Sequence, residues 1–223
     1  NTFIDSRLGL DRWQERVKKF GLGVQLDIDI SGDHEGWVPQ PKLYDRYYGR
    51  NRWKFSNIAS LSIGQGELNV TPLQMANLGA LLANRGFYYS PHIIKSVGDS
   101  DGIPEKYRIK NYVEVDSVHF EPVLDGMELV VKSGSGTRAY MPDIEVCGKT
   151  STVQNSFGED HSGFMGFAPK DNPQIAIAAY VENASWGGRA AASTASLVME
   201  KYIRGHITRK YLEDYVLKGE FVY

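Results

Sequence analysis

Apolar positions recur at helical spacing in five stretches of this chain and at strand-like spacing in three segments of its last third. In LDRWQERVKKFGLG, Leu10, Trp13, Val17 and Phe20 fall on one face. This predicts a helix with Asp11 as N-cap and Gly21 as its stop. In NVTPLQMANLGALLANRGF, Thr71 is placed to cap the N-terminus, Pro72 takes the first helical position and Gln74 completes a capping box. Leu73, Ala76, Ala80 and Leu81 form its apolar stripe, and Gly86 ends it. Glu121 to Val131 reads as a further helix with Leu124, Met127 and Val131 on one side. GGRAAASTASLVMEKYIRG predicts a long helix whose small residues let it lie close to a sheet. The tail TRKYLEDYVLKGEFVY repeats the helical period at Tyr211, Leu212, Tyr215 and Val216.

Strand-like segments gather in the last third. IEVCGKTST, GFMGFAP and QIAIAAYVE are short and rich in β-formers, and PKDNP between the last two suits a tight reversal. They predict an antiparallel hairpin with the first strand close by. Residues 31–57, with many Pro, Gly and Tyr and weak periodicity, read as an irregular surface excursion. Residues 87–120 read as short strands around the charged loop GDSDGIPEKYR. Helices before and after an antiparallel sheet make the expected fold class α+β, an antiparallel sheet flanked by helices. No internal repeat is present.

Composition narrows this picture without changing it. The 223 residues are 42% hydrophobic and 23% charged, with a net charge of −2. Such a balance gives no global field for nucleic acid or acidic lipid. The single cysteine, Cys147, excludes an internal disulfide framework and reads as a small packing residue. The longest apolar runs, IAIAAYV at 175–181 and LGALLA at 78–83, are far short of a membrane span. NTFIDSRLG at the start has neither an initiator methionine nor a signal-like pattern, so the chain is expected to be a fragment lacking an N-terminal part.

Candidate chemistry centres on GKTSTVQN at 148–155. Lys149 stands among Thr150, Ser151 and Thr152 on a predicted strand. Two readings are open: a solvated strand charge, or a surface that holds an anion. Asp143 stands five residues before Gly148 where a phosphate loop needs glycine, so a nucleotide site is excluded. The five histidines (34, 92, 119, 161 and 206) include no i, i+4 pair, and neither a metal nor any other cofactor is expected. His161 is either a base near the lysine strand or a residue that caps a turn or packs where its strand begins. IGQGE at 63–67 lacks the strand–glycine–helix context of a dinucleotide site. The aromatics of 37–55 are assigned to packing of a long loop.

Several blocks in a fixed order carry a family resemblance. They are GWVPQPKLYD, RWKFSN, LSIGQGELNVTPLQMANLGALLANRG, DGMELVV, GSGTRAY, VCGKTST, HSGFMGFAP and PQIAIAAYVEN, followed by a small-residue helix. Together they resemble the class B penicillin-binding proteins, in an arrangement most similar to the elongation-type, penicillin-binding-protein-2 group, over nearly the whole chain. The resemblance implies a partial transpeptidase domain over 1–223, with the penicillin-binding-protein/β-lactamase-like fold incomplete on its N-terminal side. That family uses S-x-x-K, S-x-N and K-T-G motifs. None of the thirteen lysines has a serine three residues before it, and no complete S-x-N occurs. Asn1 is expected to be the last residue of a truncated S-x-N. Lys149-Thr150-Ser151 stands as K-T-G with serine in place of glycine.

The resemblance further implies serine acyl transfer in the parent protein: a peptidoglycan D,D-transpeptidase that cross-links D-Ala-D-Ala stem peptides and binds β-lactam antibiotics. Lys149 would be catalytic, Thr150, Ser151 and Thr152 would bind substrate, and the backbone N–H of Thr152 would serve the oxyanion hole. The fragment itself, lacking the nucleophile, is expected to be inactive. Its expected partners are stem peptides, β-lactams and, through the parent, proteins of a membrane cell-elongation complex, with no nucleic acid. The parent is expected to be anchored in the inner membrane with this domain in the periplasm, in the service of cell shape. A non-catalytic cell-wall peptide-binding relative, motivated by Ser151, is the competing reading. A β-lactam sensor or β-lactamase on the same fold is the third.

Overall fold

The computed structural model describes residues 9–50, 52–98, 102–184, 188–219 and 221. Two compact units are present, one built from residues up to Gln74 with Tyr89–Val113, the other from Met75–Tyr88 with Glu114 onward. The boundary falls inside a single helix.

In the first unit, α1 runs over Gly9–Lys19. Its predicted stripe is present: Leu10 is buried and Trp13, Val17 and Phe20 are half-buried. Asp11 is not the N-cap, because the helix has already begun at Gly9. It lies in the first turn instead, where a carboxylate still meets the positive end of the helix dipole. Gly21 closes the helix at φ +80, with its N–H on Lys18 O.

Within 31–57 the structure contains two helices, α2 (Pro41–Tyr48) and α3 (Phe55–Ile58), where the sequence pattern predicts irregular chain. Both are shorter than the window over which a helical period can be read. They are held by aromatic packing. Tyr44 is fully buried with Leu10, Ile58 and Leu61, and Trp13, Leu43, Trp53 and Phe55 pack around them. Tyr44 stacks on Tyr48, four residues on, at 6.5 Å. Burial and the hydroxyl's bond to Glu67 push the Tyr44 phenol above its ordinary pKa.

Helix α4 (Pro72–Ala83) opens with the predicted capping box. Gln74 N–H donates to Thr71 Oγ1 and Thr71 N–H donates to Gln74 Oε1, both at 3.1 Å. Its buried face differs from the predicted stripe. Leu73 is exposed, whereas Gln74 is buried and Asn77 nearly so. The Gln74 amide repays its burial by donating to Val24 O (2.7 Å) and Glu35 O (3.0 Å). Gly86 ends the turn after the helix, at φ +116.

The region 87–113 holds two two-residue strands, β1 (Phe87–Tyr88) and β2 (Asn111–Tyr112), and a short 3₁₀ turn at Glu105–Arg108. Helix α5 follows at Glu121–Ser133 and buries Leu124, Met127 and Val131 as its spacing predicts.

Three strands form the central sheet of the second unit: β3 (Cys147–Val153), β4 (His161–Ala168) and β5 (Ile175–Val181), antiparallel in the order β3-β4-β5. The register sets Thr150 opposite Phe164, Ser151 opposite Gly163, and Phe164 opposite Ala179. Because side chains alternate along a strand, Gly148, Thr150, Phe164, Ala168, Ile177 and Ala179 share one face. That face packs on Val131 of α5 and on Ala191, Ala192, Ala195 and Met199 of α6 (Ala190–Arg204). The alanines and serines of α6 are fully buried, as a helix lying close on a sheet requires. Ser162 Oγ on β4 accepts the Ala191 N–H at 3.1 Å and fixes where α6 begins. Helix α7 (Lys210–Leu217) closes the unit. Its approach is set by Glu200, a fully buried carboxylate that accepts from Thr208 N–H, Thr208 Oγ1 and Arg209 Nε.

Candidate functional site around strand β3

The opposite sheet face carries Cys147, Lys149, Ser151 and Val153 on β3, with Gly163, Met165 and Phe167 on β4 and Ala176 and Tyr180 on β5. Its two ends differ. At the Cys147 end the face is covered. The position a Cβ would take at Gly79 of α4 is 3.3 Å from Gly166 O and 3.6 Å from Ala176 Cβ. Cys147 is fully buried and its thiol donates to Leu124 O at 3.5 Å. Burial pushes that thiol up to about 12, so it behaves as an inert packing group. At the other end Lys149, Ser151, Val153 and Tyr180 are exposed, as is Thr152 on the inner face. β3 is an edge strand of the described sheet. The covered end anchors the strand while the open end presents its polar side chains.

Each residue of the Lys-Thr-Ser-Thr run has a distinct environment. The Lys149 ammonium folds along its own strand and donates to Thr150 O at 2.7 Å. Thr150, on the inner face, is 8% exposed, and its hydroxyl pairs with Ser135 Oγ at 2.6 Å. Gly188 closes over this pair: a Cβ there would lie 2.2 Å from Ser135 O and 3.7 Å from Thr150 Cγ2. Ser151 lies over the glycine opposite it, since a Cβ on Gly163 would meet Ser151 Oγ at 2.1 Å. The Ser151 side chain is therefore accommodated by a glycine across the ladder.

His161 begins β4. Its Nδ1 accepts the Asn183 N–H at 3.0 Å, and its ring tilts against Tyr180 at 5.4 Å. It packs and caps at the start of its strand, the second of the two roles open from sequence. The loop joining β3 to β4 is organised by Asn155. Its backbone N–H donates to Asp160 Oδ1 and its amide donates to Asn183 Oδ1 and Glu159 O. Phe157 N–H in turn donates to the Asn155 side-chain oxygen.

Lys149, Thr150, Ser151 and Thr152 thus lie on one edge strand, and Asn1 lies outside the described residues. Ser135 is the residue that sequence reasoning passed over. GSGTRAY was visible as a block, but only the fold sets its serine against Thr150. Among the described residues no cluster of His, Cys, Asp or Glu is arranged to hold a metal.

Comparison with known proteins adds an independent line. A family model described as the penicillin binding protein transpeptidase domain matches residues 3–200. The peptidoglycan D,D-transpeptidase MrdA of Acinetobacter baumannii is 31% identical over 209 residues, spanning 84% of this chain and 30% of that protein. The same enzyme from Haemophilus influenzae is 30% identical over 218 residues, 88% of this chain and 33% of that protein. The chain thus spans about a third of the length of the curated relatives it matches. Among solved structures, Pseudomonas aeruginosa PBP2 in complex with WCK 5153 superposes with a TM-score of 0.76 at 31% identity, covering 92% of this chain and 45% of that one. Helicobacter pylori PBP2, at 21% identity, shares the fold with a TM-score of 0.73 over 89% of this chain and 36% of that one.

Proposed function

The chain belongs to the penicillin-binding protein transpeptidase family, and we propose that it is part of a peptidoglycan D,D-transpeptidase whose donor-peptide site is lined by strand β3. The observation that carries this reading is the open end of β3. Lys149 and the hydroxyls of Ser151 and Thr152 are exposed there on an edge strand that is anchored at its other end, and the Thr150 hydroxyl on the inner face is held by Ser135. An extended peptide adds to such an edge by backbone pairing. Its terminal carboxylate meets Lys149 and the hydroxyls through charge-assisted hydrogen bonds, stronger than neutral ones.

The reaction is two acyl transfers. A serine hydroxyl attacks the carbonyl carbon of the penultimate D-alanine. The amide bond breaks, D-alanine leaves as the free amine, and an ester forms. The amine of a neighbouring stem peptide then attacks the ester carbonyl, the serine–acyl bond breaks, and a new amide cross-links the strands. Thr152 contributes its backbone N–H to the developing oxyanion, an interaction worth about 3 kcal/mol of transition-state stabilisation. Asn1 takes the role of the terminal asparagine of S-x-N. The serine comes from a part of the protein outside these 223 residues. β-Lactams present the same carboxylate and a reactive carbonyl, and stop at the ester.

The full-length protein is proposed to be anchored in the inner membrane and to act on its outer side, with proteins of a cell-elongation complex. No described helix is long and apolar enough to cross a membrane.

Fluorescent penicillin tests the reading. The full-length protein should take up one covalent label. A Lys149→Ala variant should acylate at least about 100-fold more slowly, the scale of losing one strong electrostatic contact to the transition state. The 223-residue chain, which contains no S-x-x-K, should take up none. An unlabelled full-length protein, or a labelled fragment, would refute the assignment.

A further inference from the structure

The first unit carries a charged feature that the β3 site does not use. Between Pro41 and Lys54 the sequence places Lys42, Arg46, Arg50, Arg52 and Lys54 against one acid, Asp45, in a chain whose net charge is −2. All five cations are exposed. Lys42 and Arg46 are four residues apart on α2 and so share a face. A tight turn then reverses the chain: Gly49 N–H donates to Asp45 O and Arg52 N–H to Gly49 O, both at 3.0 Å, with Gly49 at φ +90. Trp53 Nε1 donates to Asp45 Oδ1 at 2.8 Å and pins the returning segment to the helix.

The two nearest carboxylates are engaged by neutral donors rather than by these cations. Asp45 serves Trp53. Glu67, the next carboxylate along the chain, accepts the hydroxyl of the buried Tyr44 at 2.7 Å. Among the described residues none of the five cations is joined to a carboxylate. Two tyrosines stand among them: Tyr47, 70% exposed, and Tyr48, 46% exposed with one side of its ring stacked on Tyr44.

We propose that this helix-turn is a docking surface for an anionic lipid bilayer. Arginine pairs with phosphate through two parallel N–H donors, a match to phosphodiester headgroups. Tyrosine rings, apolar in body and polar at the tip, settle at headgroup level. The exposed tyrosines are what favour a bilayer over a soluble polyanion, which gives them nothing to enter. The charges act only when the lipid surface is within about a Debye length, roughly 8 Å at physiological salt. Contact is therefore peripheral and reversible. The proposal is independent of the transpeptidase reading and stands or falls without it.

Vesicle co-sedimentation of the 223-residue chain tests it. Vesicles containing phosphatidylglycerol should bind the chain and release it at high salt, while pure phosphatidylcholine vesicles should not bind it. Replacing Arg46, Arg50 and Arg52 together with serine should weaken binding by more than about tenfold, given the attraction of each basic group near an anionic surface. Tyr47→Ser with Tyr48→Ser should weaken it less. Equal binding to both lipids, or undiminished binding of the triple-serine variant, overturns the proposal. So does binding of soluble polyphosphate without binding to vesicles. The lipid and salt arms use the unaltered chain, so they decide the matter even if a variant misfolds.

Discussion

Thr150 shows how a single residue on β3 does more than its sequence neighbours suggest. Its side chain is nearly buried, yet its hydroxyl is held at 2.6 Å by Ser135, fifteen residues earlier. A fixed hydroxyl is a better donor to a carboxylate than a free rotor, because less freedom is lost on binding. In the full-length protein, Ser135→Ala is expected to slow penicillin acylation by about fivefold, the worth of one neutral hydrogen bond. Ser135→Thr should restore the rate. If both variants match the parent, the hydroxyl pair has no part in the site. Cys147 makes the opposite case. With its thiol buried and its pKa raised, it is expected to resist iodoacetamide in the folded protein and to react once denatured. Lys149 and its hydroxyl neighbours stood out in the sequence because their composition is unusual for a strand. Ser135 did not, since nothing local ties it to Thr150.

Among the elements, those whose order comes from local chemistry were legible. The Thr71–Gln74 capping box, the period of α5 and the small residues of α6 all appear where the pattern places them. Those ordered by distant partners were not. Helix α2 depends on Tyr44, Tyr48 and Trp53 packing together, and Gln74 is buried because Val24 and Glu35 carbonyls accept its amide hydrogens. Strand β3 also depends on a close approach that the sequence shows only as a glycine. A Cβ at Gly148 would lie 2.3 Å from the Phe164 ring. Gly148→Ala is therefore expected to destabilise the fold by about 1–3 kcal/mol through overpacking, measured by urea unfolding. In the full-length protein it should also slow acylation, because the strand that carries Lys149 must shift.

For the whole molecule, acid should be the main solution threat. Burial raises the Glu200 carboxyl, but hydrogen bonds from Thr208 and Arg209 outweigh it and hold the pKa below the ordinary 4.5. Bonds from Lys132 and Lys170, against a smaller effect of burial, hold Glu128 down likewise. A carboxyl depressed in the folded state contributes stability that is complete above its unfolded pKa. That contribution is lost as pH falls through the folded value. The thermal midpoint should therefore hold near neutrality and fall below about pH 4.5. Glu200→Ala, which strands Arg209 beside a buried gap, should cost about 3 kcal/mol at neutral pH and flatten the acid slope. A midpoint unchanged between neutral and acid pH would show that neither carboxylate is tied to the folded state as drawn.

What the sequence determined by itself was the α+β class, the three strands, the long helices and the lysine strand, because periodicity, caps and composition act over a few residues. The ordered blocks also marked the family. Tertiary structure alone decided which half of β3 is open, that Ser135 braces Thr150, that Gly163 makes room for Ser151, and that the five cations of 42–54 are joined to no carboxylate among the described residues. Each of these is a contact between segments far apart in the chain, and only packing in three dimensions chooses among the partners that a string of residues leaves available.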